Sequence, residues 1–323
     1  MEDNNKIPVV LQKFPLANLI QAPAIIHKLP RLSLHLGFDI YILREDLTGF
    51  ALGGNKTRKL DYLVGDAIAN KADTLVTMKA TSFSRNAAAA ASACGLDLHV
   101  ALAGTESEQN PASQAIFRQF DTTLHYAPEG ESALPNVYSH LLESLETKNK
   151  TVYELHPGGS DSIGALAYVH VLHEIFDFSK RSGVHFSHII HSSSSAGTQA
   201  GLVVGQCIDP YDTRILGVSA SLKADLQSER VCELARSTAK LLGIQLDENK
   251  ILIDDRFIGP GYAQPSEEGM LAVRLFANLE GILLDQVYTG KAAAALCHCI
   301  TEGELKGESV LFIHTGGNAG LYY

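Results

Sequence analysis

Two rhythms of apolar residues alternate along the chain. Short apolar, β-branched runs predict strands over 38–43, 74–78, 98–102, 122–126, 152–155, 186–191, 215–220, 251–253 and 310–314. Between them, apolar positions three and four apart predict helices over 86–94, 111–120, 135–146, 165–178, 197–205, 224–242, 270–279 and 292–300. One more helix follows Gly53-Gly54, with Leu60, Leu63, Val64 and Ala67 on one face. Residues 1–36, broken by Pro8, Pro15, Pro23 and Pro30, read as mostly extended or turning. Regular alternation of strand and helix predicts an α/β fold of parallel βαβ units, with helices on both faces of each sheet. The chain shows no internal repeat and no low-complexity linker.

With 323 residues the chain can form one large or two medium units, and two lobes are expected. Hydrophobic content of 46%, 27 glycines and no tryptophan fit a soluble enzyme. A net charge of −10 argues against a general nucleic-acid surface, which needs clustered Lys and Arg. No apolar run is long enough to cross a membrane, and residues 1–20 do not read as a signal peptide, so no membrane partner is expected and the location reads as cytoplasmic. Cys94, Cys207, Cys232, Cys297 and Cys299 are an odd set without framework spacing, as in a reducing compartment. Cys297-His298-Cys299 falls in an Ala-rich helical run where alternate residues point to different sides, so no metal is expected.

The chemistry concentrates in glycine- and serine-bearing turns at strand ends, where doubly wound sheets bind ligands. Ser192-Ser193-Ser194-Ser195-Ala196-Gly197-Thr198 joins a buried strand to a helix start. There, unpaired amides and the positive end of the helix dipole suit a phosphate; the plainer reading is a turn with serine as cap. Gly197, Gly201 and Gly205 leave one helix face bare, a face expected to lie close on the sheet. No Gly-x-Gly-x-x-Gly follows a strand and no P-loop is present. A phosphate cup without a nucleotide fingerprint, together with Lys56 opening a helix after two glycines, suits pyridoxal phosphate. The dipole, with Arg58 and Lys59 nearby, would depress the Lys56 pKa.

The matching blocks run nearly end to end: Arg44-Glu45-Asp46-Leu47-Thr48, Gly53-Gly54-Asn55-Lys56-Thr57-Arg58-Lys59-Leu60, Pro157-Gly158-Gly159-Ser160, Ser195-Ala196-Gly197-Thr198, Gly261-Tyr262, Glu280 to Asp285, Val287-Tyr288-Thr289-Gly290-Lys291 and His314-Thr315-Gly316-Gly317. Through them the chain resembles the fold-type-II pyridoxal-phosphate enzymes of the D-cysteine desulfhydrase and 1-aminocyclopropane-1-carboxylate (ACC) deaminase family. The resemblance implies a two-lobed molecule, a larger cofactor-binding domain of 1–51 plus 165–323 and a smaller one of 52–164, and a homodimer. It implies that Lys56 is the Schiff-base lysine and that Ser195, Ala196, Gly197 and Thr198 hold the phosphate. Asn55, Ser82, Thr289 and Thr315 would lie near the cofactor, and Tyr262 and Tyr288 would face a small amino-acid substrate. From the residues alone, Tyr262 reads more readily as a packing residue, and Tyr288 as either a strand end aimed at a site or a core edge.

Two features bear on the reaction. In the deaminase branch an acidic residue follows the second tyrosine, near the pyridine nitrogen, and a leucine precedes the final glycines; Thr289 and Thr315 stand there instead. Hydroxyls leave the ring neutral, which suffices to expel a thiolate and favours β-elimination over ACC deamination. Where the family has Gln-Ser-Asn-His, this chain reads Ala80-Thr81-Ser82-Phe83: Thr81 keeps a hydroxyl for the substrate carboxylate, Ser82 is shorter than an amide, and Phe83 replaces an imidazole. Lys79, just before, is either a solvated strand end or a group reaching for an acidic substrate. This altered loop also motivates a third reading, a homologue that binds the cofactor without turnover.

Overall fold

The structure is a computed structural model that describes residues 8–20, 23–208 and 211–317. In chain order its elements are β1 (Ile26–Lys28), α1 (Pro30–Leu36), β2 (Asp39–Arg44), α2 (Asn55–Ala69), β3 (Thr74–Met78), α3 (Ser82–Cys94), β4 (Asp97–Ala103), α4 (Pro111–Gln119), β5 (Thr123–Ala127), α5 (Leu134–Thr147) and β6 (Val152–Glu154). Then come α6 (Ser162–Ser182), β7 (His188–Ser193), α7 (Gly197–Ile208), β8 (Arg214–Ser219), α8 (Ala224–Leu242), β9 (Leu252–Asp254), α9 (Glu267–Glu280), α10 (Thr289–Thr301) and β10 (Ser309–His314).

They form two sheets. The larger has strand order β1-β2-β10-β7-β8-β9 and the smaller β5-β4-β3-β6. Every pairing is parallel except that of the edge strand β1 with β2. The central strands β7 and β10 are buried at every position, which is why they read in the sequence as unbroken apolar runs. One face of the larger sheet packs on α6, α7 and α8 through Leu166, Ile175, Leu202 and Val204; the other packs on α1, α9 and α10 through Leu32, Phe276, Ala292 and Leu296. In the smaller sheet α2 and α3 cover one face through Leu60, Leu63, Val64, Ala87 and Ala91, and α5 covers the other through Leu141 and Leu145.

Three expectations are corrected. Residues 26–36 hold β1 and α1 rather than turns alone: β1 is short and partly exposed, so it lacks alternation, and Pro30 occupies the first helical position, where its missing N–H has no partner to lose. Helix α3 starts at Ser82, not 86, because Thr81 and Ser84 form a reciprocal cap. The bare glycine face of α7 lies against helix α6, not the sheet. A Cβ at Gly201 would collide with the Ala165 carbonyl oxygen and lie 2.6 Å from Tyr168 Cβ, and one at Gly205 would lie 3.0 Å from Leu172 Cδ2. Small residues four apart let two helices approach backbone to backbone. Of the closing Thr315-Gly316-Gly317-Asn318-Ala319-Gly320 turn, residues 318–320 lie outside the described residues.

Candidate active site

The carboxyl ends of the strands converge on a cleft between the sheets. After β2, Gly53 and Gly54 (φ +65° and +88°) turn the chain into α2. Gly54 passes so close to Gly316 that a Cβ on Gly316 would stand 2.6 Å from the Gly54 Cα; only two glycines fit there. Asn55 N donates to the Thr315 carbonyl at 2.9 Å, tying the helix start to the turn after β10. The Asn55 amide donates to Thr198 Oγ1 at 3.0 Å, which ties it to the serine-rich turn as well.

Lys56 therefore projects into that turn: its Nζ donates to the Gly158 carbonyl at 3.2 Å and lies 3.4 Å from Ser195 Oγ. Ser160 Oγ donates to Ser195 Oγ at 2.8 Å. Ala196 sits in the left-handed region at φ +70°, a strained conformation for a non-glycine that turns the chain into α7. Burial lowers the Lys56 pKa from 10.5 to about 8. Burial is the cause, not the expected neighbours: the Arg58 guanidinium turns away to Glu45 (3.0 Å) and Glu174 (3.0 Å), and the bond with Lys59 raises the Lys56 pKa rather than lowering it.

Lys59, one helical turn on, shows no exposed surface, and its Nζ donates to the same Gly158 carbonyl at 3.2 Å. Burial, then the facing Lys56 charge, drive its pKa well below the ordinary lysine range. A Cβ on Gly197 would lie 2.8 Å from that ammonium, so Lys59 reaches the floor of the serine-rich turn. Among the described residues no carboxylate pairs with it. Lys59, buried beside hydroxyls and a helix amino end, with Asp161 acting on its charge but no carboxylate bonded to it, fits a phosphate dianion. Pyridoxal phosphate accordingly fits here: Ser195, Ala196, Gly197, Thr198 and Lys59 would hold its phosphate, and Lys56 would supply the amine for its aldehyde. Lys59 was not singled out in the sequence, although a lysine on the apolar face of α2, three residues after Lys56, is the signal that marks it.

On the smaller sheet, Thr81 caps α3: its Oγ1 accepts from Ser84 N at 3.4 Å, and Ser84 Oγ accepts from Thr81 N at 2.9 Å. Ser82, the first helical residue, stays partly exposed. Phe83 does not take the place of an imidazole facing a ligand; it is buried, and a Cβ on Gly159 would meet its ring at 2.8 Å, so it supports the Pro157–Gly159 turn from below. Lys79 (φ +70°) pairs with Glu131 at 3.0 Å, on the exposed side of the sheet beyond β4.

On the larger sheet, Tyr262 and Tyr288 share a hydrogen bond at 2.7 Å between their hydroxyls. Tyr262 is 57% exposed, whereas burial and this bond raise the pKa of Tyr288. Asp285 sets Tyr288: its Oδ1 accepts from Val287 N and Tyr288 N at 2.9 and 2.7 Å. Its Oδ2 accepts from Thr289 N and Thr289 Oγ1 at 3.0 and 2.6 Å. Thr289 is thus fully buried, its hydroxyl proton held by Asp285 and its oxygen accepting from Asp285 N at 2.8 Å. The other side of Asp285 abuts Gly317, where a Cβ would lie 2.5 Å from Oδ2. Thr315 contributes its carbonyl to Asn55, and no group among the described residues bonds its hydroxyl. Lys291, likewise passed over in the sequence, is fully buried, and its ammonium donates to the carbonyls of Ala220 (2.9 Å), Ile258 (2.7 Å) and Gly261 (3.0 Å), fixing the turn that presents Tyr262.

The Cys297-His298-Cys299 segment lies away from this cleft. Cys299 donates to Glu304 Oε2 at 3.2 Å, and among the described residues no group of three or more His, Cys, Asp or Glu side chains could hold a metal ion. None of the helices described is long and apolar enough to cross a membrane.

Known proteins resemble the chain over nearly its whole length. The chain is 40% identical over 323 residues to a D-cysteine desulfhydrase of Klebsiella pneumoniae (strain 342), covering 97% of each chain. It is 36% identical over 320 residues to a putative 1-aminocyclopropane-1-carboxylate deaminase of Pyrococcus furiosus, covering 98% of this chain and 96% of that one. Among solved structures it matches an ACC deaminase homologue with a TM-score of 0.86 and 34% identity, over 96% of this chain and 94% of the other. The two sheets and their helices form the two-lobed α/β architecture of fold-type-II enzymes. Residues 18–316 match the family described as pyridoxal-phosphate dependent enzyme, and the chain belongs to that family.

Proposed function

We propose that this protein is a pyridoxal-phosphate-dependent lyase carrying out β-elimination on a small amino acid, D-cysteine foremost, giving pyruvate, ammonia and hydrogen sulfide with uptake of one water. The observation that carries the reading is the pair of phenols joined at 2.7 Å across the cleft edge. One proton is held within the pair and the other is free to meet a departing sulfur. With its pKa raised, Tyr288 keeps its proton at neutral pH. When bound, the cofactor supplies the sink for the electron pair left as the Cα–H bond breaks.

The protein's own groups do the rest. Lys56 Nζ, neutral in part because its pKa is near 8, accepts the Cα proton. The Thr81 hydroxyl, with Ser82 and the first amides of α3, receives the substrate carboxylate at a helix amino end. Ser195, Ala196, Gly197, Thr198 and Lys59 hold the phosphate, while Asn55 locks the two halves of the cup together. Thr289 and Thr315 back the ring from the larger body, Thr289 as a spacer between it and Asp285. In this reading 52–164 form the smaller, substrate-closing domain and 1–51 with 165–323 the larger, cofactor-holding one, in a cytoplasmic homodimer.

The test incubates holoenzyme with D-cysteine, L-cysteine, β-chloroalanine and ACC and assays sulfide, pyruvate and 2-oxobutyrate. Sulfide and pyruvate from D-cysteine without 2-oxobutyrate from ACC bear the reading out. Release of 2-oxobutyrate from ACC alone makes the protein a deaminase, and spectral shifts without any product make it a binding homologue.

A further inference from the structure

A cavity of about 410 Å³ opens in the larger lobe on the α10 face of β7, β8 and β9, reaching the amino ends of β7 and β8, whereas the cofactor cup lies at their carboxyl ends. Its origin is topological. The edge strand β9 is three residues long and pairs only with Leu216–Val218 of β8, and α10 ends at Thr301, so the sheet's amino-end corner has a floor but an incomplete cover. His188 and Arg214 are direct partners across β7 and β8, so their side chains stand on one face about 5 Å apart.

The polar groups of this corner are unequal. Arg214 is exposed, lines the cavity and has no ion-pair partner among the described residues. His188 is 6% exposed. Its Nδ1 lies 3.0 Å from Ser187 Oγ, whose own proton goes to the Ser309 carbonyl at 2.9 Å. Nδ1 must therefore donate, which leaves Nε2 a bare acceptor without a partner among the described residues. Burial and the neighbouring Arg214 keep the ring neutral. Another wall is the cluster of Arg256 with Asp254 (2.7 Å) and Glu304 (2.7 Å), two carboxylates on one guanidinium, which carries one negative charge in excess. Leu216, Leu252 and Leu305 complete the lining with apolar surface.

A donor cation, a neutral acceptor beside it, an anionic wall and an apolar floor are the complement of one ligand class. We propose that this cavity is a second ligand site, which takes the zwitterionic head group of a small apolar α-amino acid: carboxylate on Arg214, ammonium between His188 Nε2 and the Asp254–Glu304 wall, side chain on Leu216, Leu252 and Leu305. The excess negative charge of that wall disfavours phosphate and dicarboxylates. Because α10 runs from Tyr288 at its cap to Cys299 over the cavity, a ligand here sits at the far end of the helix that bears a cleft phenol.

The test uses holoenzyme reduced with borohydride, so that amino acids no longer exchange at the cofactor, and measures binding of radiolabelled L-valine and L-leucine by equilibrium dialysis. Saturation at one equivalent per chain is expected, with Arg214→Ala weakening it at least tenfold and Leu252→Trp, which fills the floor, abolishing it. Both variants should keep the turnover and melting temperature of the parent enzyme, within a few degrees. Isovalerate and isobutylamine, each lacking one half of the head group, should bind at least tenfold more weakly. No saturable binding of either amino acid, binding indifferent to Arg214→Ala, or equal binding of isovalerate or inorganic phosphate overturns the proposal.

Discussion

At the end of the cleft that holds Lys56, backbone crosses backbone at Gly54–Gly316, glycines meet side chains at Gly158 and Gly197, and two lysines stand without carboxylate partners. At the other end, Tyr262 is more than half exposed and Thr81–Ser82 offer small hydroxyls at a helix start. The first region is fixed by sterics, so it tolerates little change and serves any reaction that needs the cofactor. The second is fixed by a handful of hydrogen bonds, so single substitutions there should leave the fold in place.

The contrast yields graded tests. Lys56→Ala should lower kcat/KM by about 10⁴-fold or more while leaving the melting transition in place; retention of even a hundredth of the activity would break the comparison at its strongest point. Gly201→Val, remote from any ligand, should cost about 3 kcal/mol in urea unfolding because the added atoms enter the Ala165 and Tyr168 backbone contact. Tyr288→Phe belongs to the tolerant end: stability within about 1 kcal/mol of the parent but kcat for D-cysteine down about 100-fold, with KM changed far less.

The gentlest test is pH. The neutral fraction of Lys56 rises about tenfold per unit up to its pKa near 8, so the rate at which cofactor-free protein takes up pyridoxal phosphate, followed by absorbance, should climb to about pH 8 and level off. The folded-state pKa lies below the ordinary 10.5, so between these values the unfolded chain binds more protons. Unfolding of the cofactor-free protein by urea should therefore become harder as pH rises from about 8 toward 10.5.

The same contrast decided what could be read from the chain. Strands β7 and β10 and helix α8 were legible because each buries a continuous face, and the serine-rich turn because glycine and serine cluster where the backbone must bend. The short edge strand β1 was not, since three half-exposed residues carry no period. Nor was the direction of the α7 glycines, because a bare helix face looks alike whether a sheet or another helix covers it. Lys59 and Lys291 were quoted within motifs, but their roles depend on carbonyls up to 99 positions away in the chain, which no local pattern records.

Lys291 has one further mechanical result. Its ammonium grips the Gly261 carbonyl from inside the helix capped by Tyr288, so one side chain ties together the two segments that carry the phenols. Two stretches 30 positions apart in the chain thus share one anchor.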